Sequence, residues 1–209
     1  MKKTIVLAIV TALALTLLVG CAGGNSSTPA SSAPESSATA QAGIVVDKAA
    51  KTVSLPAVAT GYNGESSIHF LVNEKGSNAQ AAHFTTAVTS RELFDALESI
   101  GATHGDNIAL DDKGGIIEGS DLKMTVEFDG KSFTPSDLVE GAKGLPCKAR
   151  FGGNIDINEE YATGCLFCLE SCSLGITSNA AYEYTEPEDF VPTANMPAAG
   201  TAVTVTYAL

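Results

Sequence analysis

Leu122-Lys123-Met124-Thr125-Val126-Glu127-Phe128 puts an apolar side chain at every second position and runs straight into Asp129-Gly130. A period of two lines up Leu122, Met124, Val126 and Phe128 on one face of an extended strand, and Asp-Gly supplies the turn that ends it. The alternation returns at 201–207, where Val203, Val205 and Tyr207 share a face. Residues 43–47 and 52–58 flank a turn-like Asp47-Lys48-Ala49-Ala50-Lys51, as in a hairpin. Residues 67–72 and 82–88 form a second pair of strands, separated by a run with turn chemistry throughout. One helix stands out. Thr89 and Glu92 make a capping box, Leu93, Phe94, Leu97 and Ile100 line one face, and Gly101 ends it. Thr134-Pro135 opens a shorter helix expected to reach Glu140. The pattern predicts an α+β fold, a β-rich single domain over 43–209 with one main amphipathic helix at about 89–100.

The chain has 209 residues, 24 acidic and 12 basic, for a formal charge of −12. Hydrophobic residues make up 44%, enough for a real core in one domain with an appendage. Such an acidic excess cannot neutralise a phosphate backbone, so no nucleic-acid partner is expected. With no Trp, five Tyr and eight Phe, no aromatic platform for sugars or bases is expected either.

Residues 1–20 read as a signal peptide, with Lys2 and Lys3 ahead of an apolar run over 5–20 interrupted only by Thr11 and Thr16. The run is shorter than the ~20 residues a membrane-spanning helix needs. It ends in Leu18-Val19-Gly20-Cys21, which resembles the bacterial lipobox, whose cysteine takes a diacylglycerol group and becomes the new N-terminus. Cys21 is the expected lipidation residue. Without Lys2 and Lys3 the mature chain carries −14. It is expected at the extracytoplasmic face of a bacterial cell membrane, lipid-anchored through its acyl chains. Residues 21–42 are a Ser/Ala/Pro-rich tether with a single charge at Glu35.

Four further cysteines remain in the domain: Cys147, Cys165, Cys168 and Cys172. The close spacing of the last three lets a loop turn several thiolates toward one point, as a 4Fe-4S cluster or zinc requires, with Cys147 as a fourth ligand. Outside the cytoplasm an even set of thiols equally suits two structural disulfides and no cofactor. Pairing inside the short Cys165–Cys172 stretch strains the ring, and the strain eases if Cys147 takes one partner. A Cys-x-x-Cys pair also suits thiol–disulfide exchange, although the thioredoxin-like βαβ pattern that usually carries it is not visible.

Arg150-Phe151-Gly152-Gly153-Asn154, followed by Gly164-Cys165-x-x-Cys168-x-x-Ser171-Cys172-x-x-Gly175-Ile176-x-Ser178-Asn179-Ala180, resembles the signature of the YdjY family. Gly76-Ser77-Asn78, Ala96-Leu97 with Gly101-Ala102, Gly105-Asp106-Asn107 and Gly200-Thr201-Ala202-Val203-Thr204-Val205 support it, so that the resemblance covers essentially all of 43–209. It implies an exported bacterial protein of a family without an established activity, sometimes labelled ferredoxin-like. On that label Cys165, Cys168 and Cys172 are cluster ligands.

His69 and His83 each precede a Phe on a strand. If the two strands pair antiparallel about Gly76, the imidazoles become cross-strand neighbours able to share a metal or a proton; the alternative is two solvent-facing histidines. His104, in a Gly-flanked loop, reads as incidental. Arg150 is one of only two arginines and sits beside Gly152-Gly153; the plain reading is a strand arginine paired with a nearby acid. Asn154, Asp156 and Asn158 alternate like the start of a calcium loop, but the sixth position is Glu159 and the twelfth Cys165, so the EF-hand reading fails. No phosphate loop, nucleophile elbow or zinc-protease helix points to an enzyme. The expected function is a noncatalytic binding or assembly module on a membrane-anchored lipoprotein, braced by its four cysteines, with a protein or small-molecule partner. Iron–sulfur electron transfer and thiol–disulfide exchange are the alternatives.

Overall fold

The computed structural model describes residues 39–41, 43–64, 66–185 and 189–209. The signal peptide, Cys21 and most of the tether lie outside them. No helix among the described residues is long and apolar enough to cross a membrane.

Strands β1 (Thr39–Gln41), β2 (Ile44–Asp47) and β3 (Thr52–Ala59) open an antiparallel meander. The Asp47 carboxylate caps the β2–β3 turn by accepting the Ala49 and Ala50 N–H groups, both at 2.9 Å. Then come β4 (His69–Asn73), a single helical turn at Ala79–Ala81, β5 (Phe84–Thr86) and α1 (Ser90–Ser99). β6 (Asp121–Phe128) turns into β7 (Lys131–Phe133), followed by α2 (Pro135–Leu138) and β8 (Val139–Gly141). After β9 (Ala149–Phe151) and α3 (Ile155–Glu160) the chain runs through β10 (Cys165–Cys168), β11 (Thr177–Asn179), β12 (Phe190–Pro192) and β13 (Ala202–Ala208).

Eight of these strands close on themselves in the order β3-β13-β6-β9-β11-β10-β4-β5. The ring shuts where β5 returns to β3 through Val58↔Thr85 and Ala59↔Phe84. The Thr86 hydroxyl tightens this seam by donating to the Pro56 carbonyl at 2.7 Å. The protein is therefore mostly strand, an eight-stranded closed β-barrel with few helices, and not an α+β domain built around one main helix at 89–100. The reason is physical. A β-rich chain must hide the unpaired N–H and C=O groups at its sheet edges, and closure does this more completely than one ten-residue helix can.

The alternating segments behave as their patterns require. Leu122, Met124 and Val126 of β6 face inward, as do Val203, Val205 and Tyr207 of β13, and both strands pack Val53, Leu55 and Ala57 of β3 into one core. Helix α1 is present with its capping box: Glu92 N–H donates to the Thr89 hydroxyl at 3.2 Å, and Thr89 N–H to the Glu92 carboxylate at 2.8 Å. Its Leu93, Phe94 and Leu97 join the same core. The second helix stops at Leu138, and the residues up to Gly141 form β8 instead, paired with β12 in a small separate sheet. One pairing is reversed. β4 and β5 run parallel, not antiparallel about Gly76, because the turn at Ala79–Ala81 carries the chain back before β5 begins.

Candidate functional site

The cysteine strand β10 is irregular where its chemistry needs it to be. Residues three apart on a regular strand point to opposite faces, which would separate Cys165 from Cys168. The register against β4 instead slips twice, with Cys165 opposite Val72, Phe167 opposite Leu71 and Cys168 opposite His69. The slip of one place after Cys165 is reversed before Cys168, and within this irregular stretch the two thiols come together. They meet His69 at the head of β4, so that the His69 imidazole nitrogen, Cys165 Sγ and Cys168 Sγ all lie within 4.8 Å of one another. His69 Nδ1 is 3.6 Å from Cys165 Sγ. These three donors are placed to hold a metal ion.

Cys172 arrives on the connection that carries the chain from β10 to its parallel neighbour β11. It joins Cys165 and Cys168 in a small buried cluster lined by Val72 and Ala82, distinct from the main core. Side chains from α3 and its N-cap hold this connection in place. The Asn158 amide donates to the carbonyls of Cys165 and Leu174, and the Asn154 amide donates to the carbonyl of Cys172 at 3.4 Å. Gly175 has to be glycine, since a Cβ there would stand 3.1 Å from Cys168 Sγ and 2.8 Å from Ser178 Oγ. Gly76 and Gly164 pass so closely that a Cβ on Gly76 would strike the Thr163 carbonyl.

The thiols polarise one another. Cys165 is held well below the ordinary thiol range, first by the hydrogen bond from Cys168, then by His69 and the Asn78 amide, against the opposing effect of burial. Asn78 Nδ2 lies 3.4 Å from Cys165 Sγ. Cys168 moves the other way, through its hydrogen bonds with Cys165 and Cys172 and through its burial. Contact between the two thiols thus drives Cys165 and Cys168 in opposite directions.

Glu170, two residues past Cys168, is buried, and burial pushes its carboxyl up to about 7 although the Thr185 N–H donates to it at 3.1 Å. A carboxyl raised in the folded state adds nothing below its ordinary value, where folded and unfolded chains are both protonated. Above that value only the unfolded chain ionises freely, so stability is lost as pH rises from about 4.5 to about 7. Melting temperatures across this window should fall with pH in the parent chain and stay flatter in Glu170→Gln. An identical slope in the variant would refute the assignment.

The other expected residues lie elsewhere. Cys147 packs against the main core, its N–H donating to the Ser136 hydroxyl at 2.6 Å, and burial pushes its thiol up to about 12. His83 is buried beside Tyr62 and Phe70, with ring centroids 5.7 and 6.2 Å away, and burial lowers it to about 4. Its backbone meets His69, as His83 N–H donates to the His69 carbonyl, but its ring takes different neighbours. Arg150 pairs with Asp121 at 2.7 Å and donates to the Ile117 carbonyl at 3.2 Å. His104 bridges Asp106 at 2.6 Å and Glu98 at 3.5 Å. Asn78, Asn158 and Glu170 escaped the sequence reading as parts of the site. Gly76-Ser77-Asn78 was a usable signal for the first, whereas nothing in the pattern marked the other two.

Fold and site together define a small closed β-barrel with a buried thiol–imidazole cluster. The sequence model of the YdjY domain matches residues 44–208, and the chain belongs to that family. It is 36% identical to "Uncharacterized protein YdjY" of Escherichia coli (strain K12), over a match that covers 66% of this chain and 66% of that protein. No solved structure matches.

Proposed function

We propose that this is an extracytoplasmic lipoprotein, anchored at Cys21, whose barrel is a noncatalytic module carrying one thiophilic metal ion between His69, Cys165 and Cys168. The supporting observation is the 4.8 Å span of the three donor atoms. Ligands that each bind a single ion at about 2.0–2.3 Å lie up to about 4.6 Å apart, so donors that all lie within 4.8 Å of one another need only close in slightly to share one ion. A 4Fe-4S cluster places each cysteine on its own iron and spreads the sulfurs farther. Thiolate sulfur with imidazole suits zinc or another soft first-row ion. Two disulfides are a poorer fit, since Cys147 packs against a different cluster from the other three.

The test is metal and sulfide analysis of the chain purified anaerobically in detergent, with intact mass under native thiol conditions. One equivalent of a single metal without acid-labile sulfide is expected, with all four domain thiols reduced. Iron with stoichiometric sulfide would make the protein ferredoxin-like, and a metal-free chain four hydrogens lighter than its reduced mass would make the cysteines braces.

A further inference from the structure

The three-donor triangle leaves one tetrahedral position to fill. We infer that Cys172 fills it, closing a Cys3His site with no coordination position left for a substrate; this rests on the metal reading above. Its sulfur neighbours Cys168 in the same buried cluster, one step outside the triangle, with 4% of the residue exposed. It already behaves as an acceptor, since the Leu174 N–H two residues on points at Cys172 Sγ from 3.4 Å.

Nearby alternatives are otherwise engaged. The Glu170 carboxylate accepts the Thr185 N–H, the Asn78 amide donates to Cys165, and Cys147 belongs to the other core. A rotation of the Cys172 side chain would complete the set with the backbone left in place, because the Asn154 and Asn158 amides already hold the carbonyls of Cys172 and Leu174.

The surroundings suit three thiolates. With a neutral imidazole and a divalent ion they leave one net negative charge in a buried place, which needs donors directed at sulfur. Asn78 serves Cys165 and Leu174 serves Cys172. For Cys168 there is Ser178, opposite it in the parallel β10–β11 register; its hydroxyl is fully buried without a hydrogen-bond partner and faces the same gap over Gly175 as Cys168 Sγ. That orphaned donor gains an acceptor once Cys168 loses its proton. His69, only partly buried, is then the one ligand within reach of solvent.

X-ray absorption on the zinc-loaded full chain decides the matter without a variant: three sulfurs and one nitrogen are expected, and two sulfurs with two lighter ligands would overturn the inference. In the cobalt(II) form, the intense visible bands of a tetrahedral site are expected in the parent chain. Cys172→Ser should weaken them and lower zinc affinity by more than the about 10–100-fold that losing an outer hydrogen bond costs. Cys172→His should restore the tetrahedral spectrum. If Cys172→Ser binds zinc with parent affinity and an unchanged spectrum, Cys172 is not a ligand and the single-ion reading survives alone. A parent chain that binds no metal would overturn both.

Discussion

Saturating the metal-free chain with zinc should raise its melting temperature by about 8–16 °C, and Cys168→Ser should abolish the rise. A ligand that binds only the folded state stabilises it by about 4 kcal/mol at a thousand times its dissociation constant. For a protein of this size each kcal/mol moves the midpoint by about 2–4 °C. Cys168 is the residue to remove because it lies at the centre of the cluster, hydrogen-bonded to Cys165 on one side and Cys172 on the other. Cys147→Ser supplies the contrast: it should lower the starting midpoint through its own burial and still show the zinc-dependent rise, because Cys147 packs against the main core. If Cys168→Ser gained as much from zinc as the parent, the ion would be binding somewhere else.

Phe84→Ala should cost about 3–5 kcal/mol, the usual range for deleting a buried aromatic ring. Phe84 sits at the seam where β5 closes the ring onto β3. It pairs with Ala59 across the closing seam and with Leu71 on β4, it is fully buried, and its ring centroid is 5.0 Å from that of Phe70. Because β5 meets β3 through only two residue pairs, the ring does much of the work of holding the seam shut. Most domains have about 5–15 kcal/mol in all, so the loss should appear as a midpoint about 6–20 °C lower and a much earlier urea transition. Val45→Ala, on the exposed face of β2, should stay within about 0.5 kcal/mol of the parent. A Phe84→Ala effect as small as that would mean the seam is not a point of closure in solution.

The strands that could be read from the sequence are those with one wet face. β2, β3, β6 and β13 alternate because only one side is buried, and Thr89 with Glu92 announced α1 through a purely local motif. The strands that complete the ring carry no such mark. β10 and β11 are buried on both faces over three or four residues, and short runs of this kind have no period to detect. Closure itself rests on pairings such as Ala59↔Phe84, which no local pattern encodes, and so the helix was given an organising role it does not have. The site divides in the same way. Cysteine spacing located Cys165, Cys168 and Cys172. Sequence alone sets His69 only beside His83, whereas in the fold its ring meets Cys165 across the irregular pairing of β4 with β10. Asn158 reaches the cluster from a helix whose polar residues look like ordinary surface.

The position of β13 sets a timetable. It is the last strand in chain order, yet it lies between β3 and β6 and pairs with both along its length. While the chain is being made, N-terminal end first, β3 and β6 wait with open flanks until residues 202–208 emerge. The ring therefore forms in one late, concerted event, dominated by contacts between residues far apart in sequence, which makes folding slow. Until then the cysteines travel on a chain whose barrel cannot shut. Any handling of those thiols before closure falls within that interval.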